Sequence, residues 1–447
     1  MSENQTAPLA LFEGFGIELE YMIVDETTLA PKPIADLVLT EAAGELTGDF
    51  EDGSITWSNE LVLHVIELKT TGPARTLTGL ENSFQRSLTK INSLLAKHGC
   101  KLMPTAMHPI LNPENGVKIW PHDNSEIYAA YDRIFDCKGH GWSNLQSVHI
   151  NLPFANDEEF GKLHTAIRFL LPILPALTAS SPVIEGRKTP IADNRLAFYK
   201  NNQKKIPSIA GQVIPEPVLT RAEYQSIILD RTYADIAPHD PDELMREDWL
   251  NSRGAIARFG RQTIEIRILD VQESPRADIA LASLICETLK ILVTGRWISF
   301  EDQLSVDTDV LKSIFDACLE SAERTQILQA RYFETWMKAL GKPFGSNATF
   351  GDLWRSIYFS LPPQCLSAEH KETIEHVLRH GTLSTRILAS CPTIDEESPE
   401  IEPNALIKVY NELCDCLETG RLFFADRPIA AASERGPSEK APIDPQL

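Results

Sequence analysis

Two glutamates, Glu18 and Glu20, interrupt an otherwise apolar run, GIELEYMIVD. Side chains alternate faces along a strand. An extended run therefore puts both carboxylates on one face, roughly 7 Å apart at a rise of ~3.3 Å per residue. Phe15, Ile17, Leu19, Tyr21 and Ile23 fall on the other face and predict a packed core. The design recurs in TIEIRILD, where Glu265 and Arg267 oppose Ile264, Ile266 and Ile268. It recurs in SVHINLPF, where Ser147, His149 and Asn151 oppose Val148, Ile150 and Leu152. A fourth run, LVLHVIELKT, sets Glu67 and Lys69 on one face. One such strand reads equally well as a solvated face. Four of them predict a surface on which glutamates, a histidine and an arginine converge. Carboxylates crowded together raise one another's pKa unless positive charge sits between them. Hard divalent cations such as Mg²⁺, which take oxygen ligands together with substrate phosphates, meet that need.

The elements that must position these residues are legible as patterns. Residues 11–25, 61–70, 144–153 and 262–270 read as strands. Residues 76–98, with Leu77, Leu80, Phe84, Leu88, Ile91 and Leu95 at helical spacing, predict an amphipathic helix. Residues 157–180 and 275–296 read as apolar helices, the second starting at Pro275, a favoured first-turn position. Residues 100–142 and 181–220 read as irregular, and a stretch of the first length is usually functional or contains short elements of its own. The half-polar alternation of the strands argues against a parallel sheet buried on both faces. The expected fold is α+β, a largely antiparallel sheet flanked by helices with one solvated, functional face. The expected division is a catalytic region over residues 1–300, a helical region packed on it over 301–425, and a disordered tail over 426–447.

Composition narrows the function. The formal charge is −21, from 63 acidic against 42 basic residues, which opposes binding of nucleic acid through its phosphates. No apolar stretch is long enough to span a bilayer. The eight cysteines show no C-x-x-C pair and read as reduced, buried thiols. The polar start, MSENQTAPLA, has no basic segment of a secretory signal. A cytoplasmic protein is expected. GAIARFGRQT resembles a phosphate loop only faintly, because five residues separate its glycines and Arg261 stands where lysine is needed.

The segment GIELEYMIVD, the strand with Glu67, SVHINLPF and TIEIRILDVQESP together resemble glutamate–cysteine ligase family 2, which includes bacterial carboxylate–amine ligases. The resemblance covers roughly residues 12–296. It implies a glutamine synthetase-like fold whose curved antiparallel sheet floors the active site. It implies metal ligands at Glu18, Glu20, Glu67 and Glu265, with Glu60 as a further acid. Seven residues of regular strand reverse the face, so Glu60 requires a bulge or turn before Glu67. His149 matches a metal- or nucleotide-contacting histidine, and Arg267 an arginine near the transferred phosphoryl group. Two departures stand out: Ser147-Val148-His149 replaces an H-x-H pattern, and Arg253-GAIARFGRQT lacks a His-Pro and is two residues longer.

The implied activity is ATP-dependent amide-bond formation through an acyl phosphate, with Mg²⁺ (Mn²⁺ as the alternative) and small amino-acid or peptide substrates. Glu265 and Arg267 are the expected catalytic residues. His149, Arg267, Lys200 and Lys204 are expected at the nucleotide, and Ser147, Arg195, Tyr199 and Arg253 at the substrate. The alternatives are a phosphotransferase of the same superfamily and a non-catalytic relative that binds a nucleotide or amino acid. A homodimer is expected, without membrane or nucleic-acid partners.

Overall fold

The computed structural model describes residues 8–425 apart from 328, 346 and 395–397. The expected disordered tail, 426–447, lies outside the described residues.

Ten strands are formed: β1 Gly16–Asp25, β2 Asp49–Asp52, β3 Ile55–Asn59, β4 Val65–Thr70, β5 Cys100–Met103, β6 Ser147–Pro153, β7 Val183–Ile184, β8 Arg187–Lys188, β9 Ala255–Arg258 and β10 Thr263–Asp270. Eight of them make one antiparallel sheet in the order β2-β3-β4-β1-β6-β10-β9, with β5 also on β1. β7 and β8 form a separate small hairpin. Strand β1 is the axis. β4 pairs along one edge, while β6 pairs with Gly16–Leu19 and β5 with Met22–Asp25 along the other.

The apolar face carries the expected residues. Ile17, Leu19, Tyr21, Ile23, Ile66, Leu68, Ile150, Ile264 and Ile266 join one core with the helices Leu80–Leu95, Asp157–Leu170 and Pro275–Val293. Leu80, Phe84, Leu88, Ile91 and Leu95 make the buried stripe of the first helix, at the spacing that faces one side. Asn156 caps the second by accepting from the Glu159 amide at 3.0 Å. Helices beyond residue 300 pack into the same core through Leu311, Phe315, Trp354 and Ile374.

The other face of β1 changes character along its length. Glu18 and Glu20 are followed by Met22 and Val24, which enter a second core with Val65, Met103 and the helices Leu383–Ser390 and Pro403–Thr419. The expectation of a solvated face is therefore corrected: every residue of β6 is buried. Residues 100–142 contain a short element of their own, the helix Ser125–Phe135, whose Tyr128 hydroxyl accepts from Asn59 Nδ2 at the end of β3. That helix shares a third small core with Ile206, Ile209, Met245 and Leu250. The short strands β2, β3, β5 and β9 were not anticipated. No helix among the described residues is long and apolar enough to cross a membrane.

Candidate active site

Strand register brings the polar residues of four strands together. Glu18 lies opposite Lys69 on one side and His149 on the other, and Glu20 lies opposite Glu67. Asn151 pairs with Glu265 and with Gly16. A side chain on Gly16 would start 2.8 Å from the Asn151 Cβ, so glycine lets β1 and β6 close here.

A bulge completes the arrangement. Ile266 pairs with Ile150, but Leu269 pairs with Val148, so β10 carries one extra residue. Bulges re-aim side chains and recur beside active sites. Asp270 stands five residues after Glu265 and would face the core in a regular strand. The bulge turns it onto the polar face, where it receives the Ser180 amide at 2.8 Å and Arg195 Nε at 2.5 Å.

His149 sits at the centre. Its Nδ1 is 2.8 Å from Glu18 Oε2 and 3.9 Å from Glu265 Oε1, and its Nε2 is 3.8 Å from Glu20 Oε1. The Ser147 amide donates to Glu20 Oε2 at 2.7 Å, and Asn151 Nδ2 donates to Glu18 Oε1 at 2.9 Å. Arg258 Nη1 donates to Glu265 Oε2 at 3.0 Å, and Arg267 Nε lies 2.9 Å from Glu265 Oε1. Ser58 Oγ and Lys69 Nζ donate to Glu67 Oε2 at 2.5 and 3.0 Å. Glu60 follows β3 in the turn before β4, as its place seven residues before Glu67 required, and feels the charges of Glu20 and Glu67.

The electrostatics are those of a crowded acid cluster. Burial and then Glu18 push Glu67 up to about 7. Burial, Glu20 and Glu67 push Glu60 well above the carboxylate range. Burial works against the charge on His149, yet its bond to Glu18 and the fields of Glu265 and Glu20 raise it to about 9. Burial also opposes ionisation of Glu18, but His149 outweighs it and holds that carboxyl far below its usual value.

This donor set fits a hard divalent ion. Single ligand atoms of Glu18, His149 and Glu265 all lie within 4.8 Å of one another. An ion with ligands at ~2.1 Å spans at most about 4.2 Å, so a fraction of an ångström of closure would bring them into coordination.

The other predicted residues divide. Arg195, on the helix Asn194–Tyr199, is buried against Asp270, and its Nη2 has no hydrogen-bond partner among the described residues. The buried Tyr199 hydroxyl is likewise without one, and it lies in the fields of Arg267, Arg195 and Glu265. Both belong to the site's edge near Arg267. Ser147 orients the site from within, its Oγ 3.0 Å from His149 Nε2. Arg253 is instead engaged by Glu216 at 2.5 and 2.7 Å and by the Ser208 and Ile209 carbonyls. It ties loops together rather than facing the carboxylates. Lys200 pairs with Asp316 at 2.8 Å on the helix Thr308–Ser321, and Lys204 is exposed. The basic character of 195–205 misled here, because helical turns send those side chains in different directions.

Sequence reasoning left Ser58, Lys69, Asp270 and two tyrosines out of the site. Asn59 Nδ2 donates to the Tyr128 hydroxyl at 3.1 Å, and Tyr131 feels Arg267 from the same helix. Lys69 and Asp270 were visible inside ELKT and the E-x-R-x-x-D motif. Nothing in the sequence marked Ser58. A cavity of about 490 Å³ opens beside Glu18 and is lined by Lys69, Asn151, Arg261 and Gln262.

Comparison with known proteins identifies the fold and the family. An uncharacterized protein of Archaeoglobus fulgidus is 33% identical over 91% of this chain and 99% of its own length. Among solved structures, a glutamate–cysteine ligase from Francisella tularensis in complex with AMP shares the fold with a TM-score of 0.54. It is 12% identical, over 91% of this chain and 89% of that one. A bifunctional glutathione synthetase from Pasteurella multocida gives a TM-score of 0.52 at 13% identity, over 92% of this chain and 52% of that one. The family model for glutamate-cysteine ligase family 2 matches residues 14–310. With that match spanning all four polar strands, the chain belongs to glutamate-cysteine ligase family 2.

Proposed function

We propose that this protein is an ATP-dependent carboxylate–amine ligase that works through an acyl phosphate. The observation that carries the reading is the set of ligand atoms from Glu18, His149 and Glu265 within 4.8 Å of one another, bordered by Glu20, Glu60 and Glu67. A carboxylate does not condense with an amine at neutral pH without a leaving group. In the first step a substrate carboxylate oxygen attacks the γ-phosphorus of ATP, and ADP leaves. In the second the amine nitrogen attacks the acyl carbon, phosphate leaves, and the nitrogen gives up a proton.

Each part of the site has a place in this scheme. Glu18, Glu20, Glu60 and Glu265 are the residues that would hold Mg²⁺, with Glu67 at their border, and the ion when bound supplies charge neutralisation for the phosphates. Arg267 is positioned by Glu265 and offers a guanidinium suited to phosphoryl oxygens. Arg195 and Tyr199 bring unsatisfied donors to the edge near Arg267 and would orient a substrate carboxylate. The cavity beside Glu18 has a volume in the range of small-ligand pockets and would admit the nucleotide. The AMP held by the Francisella ligase of the same fold supports a nucleotide as a substrate.

The test is ADP release and mass-spectrometric product analysis across a panel of amino acids and amines with Mg²⁺. A ligase gives an amide, ADP and phosphate in equal amounts. A stable phosphoryl product without amide would replace this reading with a phosphotransferase. No substrate-stimulated ADP release would remove both.

A further inference from the structure

The polar face is ordered in cross-strand rows. One row contains Ser58, Glu67 and Glu20, and the next contains Thr56, Lys69, Glu18 and His149. The second row thus sets an ammonium between Thr56 and Glu18, inside the acidic surface. Lys69 Nζ donates to Glu67 Oε2 at 3.0 Å and to Ser58 Oγ at 2.8 Å, and lies 3.4 Å from Asp49 Oδ1. Ser58 donates to that same Glu67 oxygen at 2.5 Å. One oxygen of Glu67 therefore already holds two hydrogen bonds, one of them an ion pair. A lysine ammonium is charged at neutral pH by its ordinary chemistry, and here it is set against Glu67 and Asp49.

Such an oxygen is a poor ligand for a divalent ion. Coordination would have to displace a hydroxyl and an ammonium and would bring a double charge against a fixed single one. Glu265 is likewise held by Arg258 at 3.0 Å and Arg267 at 2.9 Å, whereas the carboxylates of Glu18, Glu20 and Glu60 contact no lysine or arginine among the described ion pairs. We propose that Lys69 is a built-in cation of the site, holding at Glu67 the place that one divalent ion would otherwise take. The number of exchangeable metal ions is then set by a lysine as much as by the acids. This rests on the metal-site reading above and adds to it which carboxylate is already neutralised.

The experiment counts Mn²⁺ per chain from the resonance of free Mn²⁺ during titration, with saturating ADP and without turnover. Lys69→Met and Lys69→Gln should each bind one more Mn²⁺ per chain than the parent. Lys69→Arg, which keeps the charge, should bind the parent's number. The glutamine variant keeps a donor for Ser58, so it tests the charge even if the methionine variant folds poorly. Equal numbers in the parent and both neutral variants would overturn the proposal while leaving the metal site standing. A gain in the arginine variant as well would overturn it, because charge would not be the cause. Absence of Mn²⁺ binding in every protein would remove the metal-site reading and this proposal with it.

Discussion

Buried charge is handled in two opposite ways in this molecule. Glu273, just after β10, is fully enclosed with Arg386, which reaches its two oxygens at 2.6 and 3.2 Å. The same pair clamps Phe423, whose amide donates to Glu273 and whose carbonyl accepts from Arg386 at 2.9 Å. Every charge there is answered by a fixed partner. On the polar face of β1, β4, β6 and β10 the acids are buried almost as deeply, yet Glu60 and Glu67 are pushed up by burial and by neighbouring glutamates. The contrast separates charge that holds the fold from charge kept open for something that binds. Paired buried ions matter to stability chiefly when one partner is removed, whereas clustered acids weaken the empty protein and are retained for function.

The sharpest test of the closed pair is Arg386→Ala. It leaves Glu273 buried and unanswered and should cost about 3–5 kcal/mol, read by denaturant unfolding. The folded fraction should keep its specific activity. A loss below about 1 kcal/mol would erase the contrast from this side.

Glu18→Gln tests the open side. Turnover should fall on the order of 10²- to 10³-fold, about 3–4 kcal/mol in the barrier, and stability should fall as well, because the charged His149 loses the carboxylate that answers it. Near-normal ADP release by this variant would remove the metal-site assignment.

Buried histidines extend the comparison to pH. Burial lowers His64 and His108 to about 4 each, against an ordinary value of 6.5, although each bonds a carbonyl, Ser143 at 2.8 Å and Leu29 at 2.7 Å. Below pH 6.5 the unfolded chain takes protons that the folded chain refuses until about pH 4. Stability should therefore be full above pH 6.5 and decline between pH 6.5 and 4, by about 2–3 kcal/mol per histidine. His108→Asn should flatten that slope, and an unchanged slope in unfolding experiments would contradict the neutral burial of this side chain.

The smallest effect belongs to Asn151→Ala. Its amide steadies Glu18 without charge, so loss should weaken Mg²⁺ affinity about 10- to 100-fold. Calorimetric titration of Mg²⁺ with ADP would measure it, and an unchanged affinity would show that Glu18 needs no such support.

Which residues share a face was already legible in the residue order. A period of two along β1, β4 and β6 is local geometry, so Glu18, Glu20, Glu67 and His149 could be grouped before any fold was known. The spacing of Leu80, Phe84, Leu88, Ile91 and Leu95 likewise marked a buried helix, because packing rewards one apolar stripe. Tertiary structure decided what local periodicity cannot carry. The extra residue in β10 reverses the parity of Asp270, and the turn after Asn59 does the same for Glu60. Met22 and Val24 continue the alternation that places Glu18 and Glu20, yet they are apolar because distant helices cover that end of the strand. Neutralisation is equally non-local: Arg253 goes to Glu216, Lys200 to Asp316 and Lys69 to Glu67. A charge's role depends on the partner that folding brings within a few ångströms. Local spacing does not contain that partner.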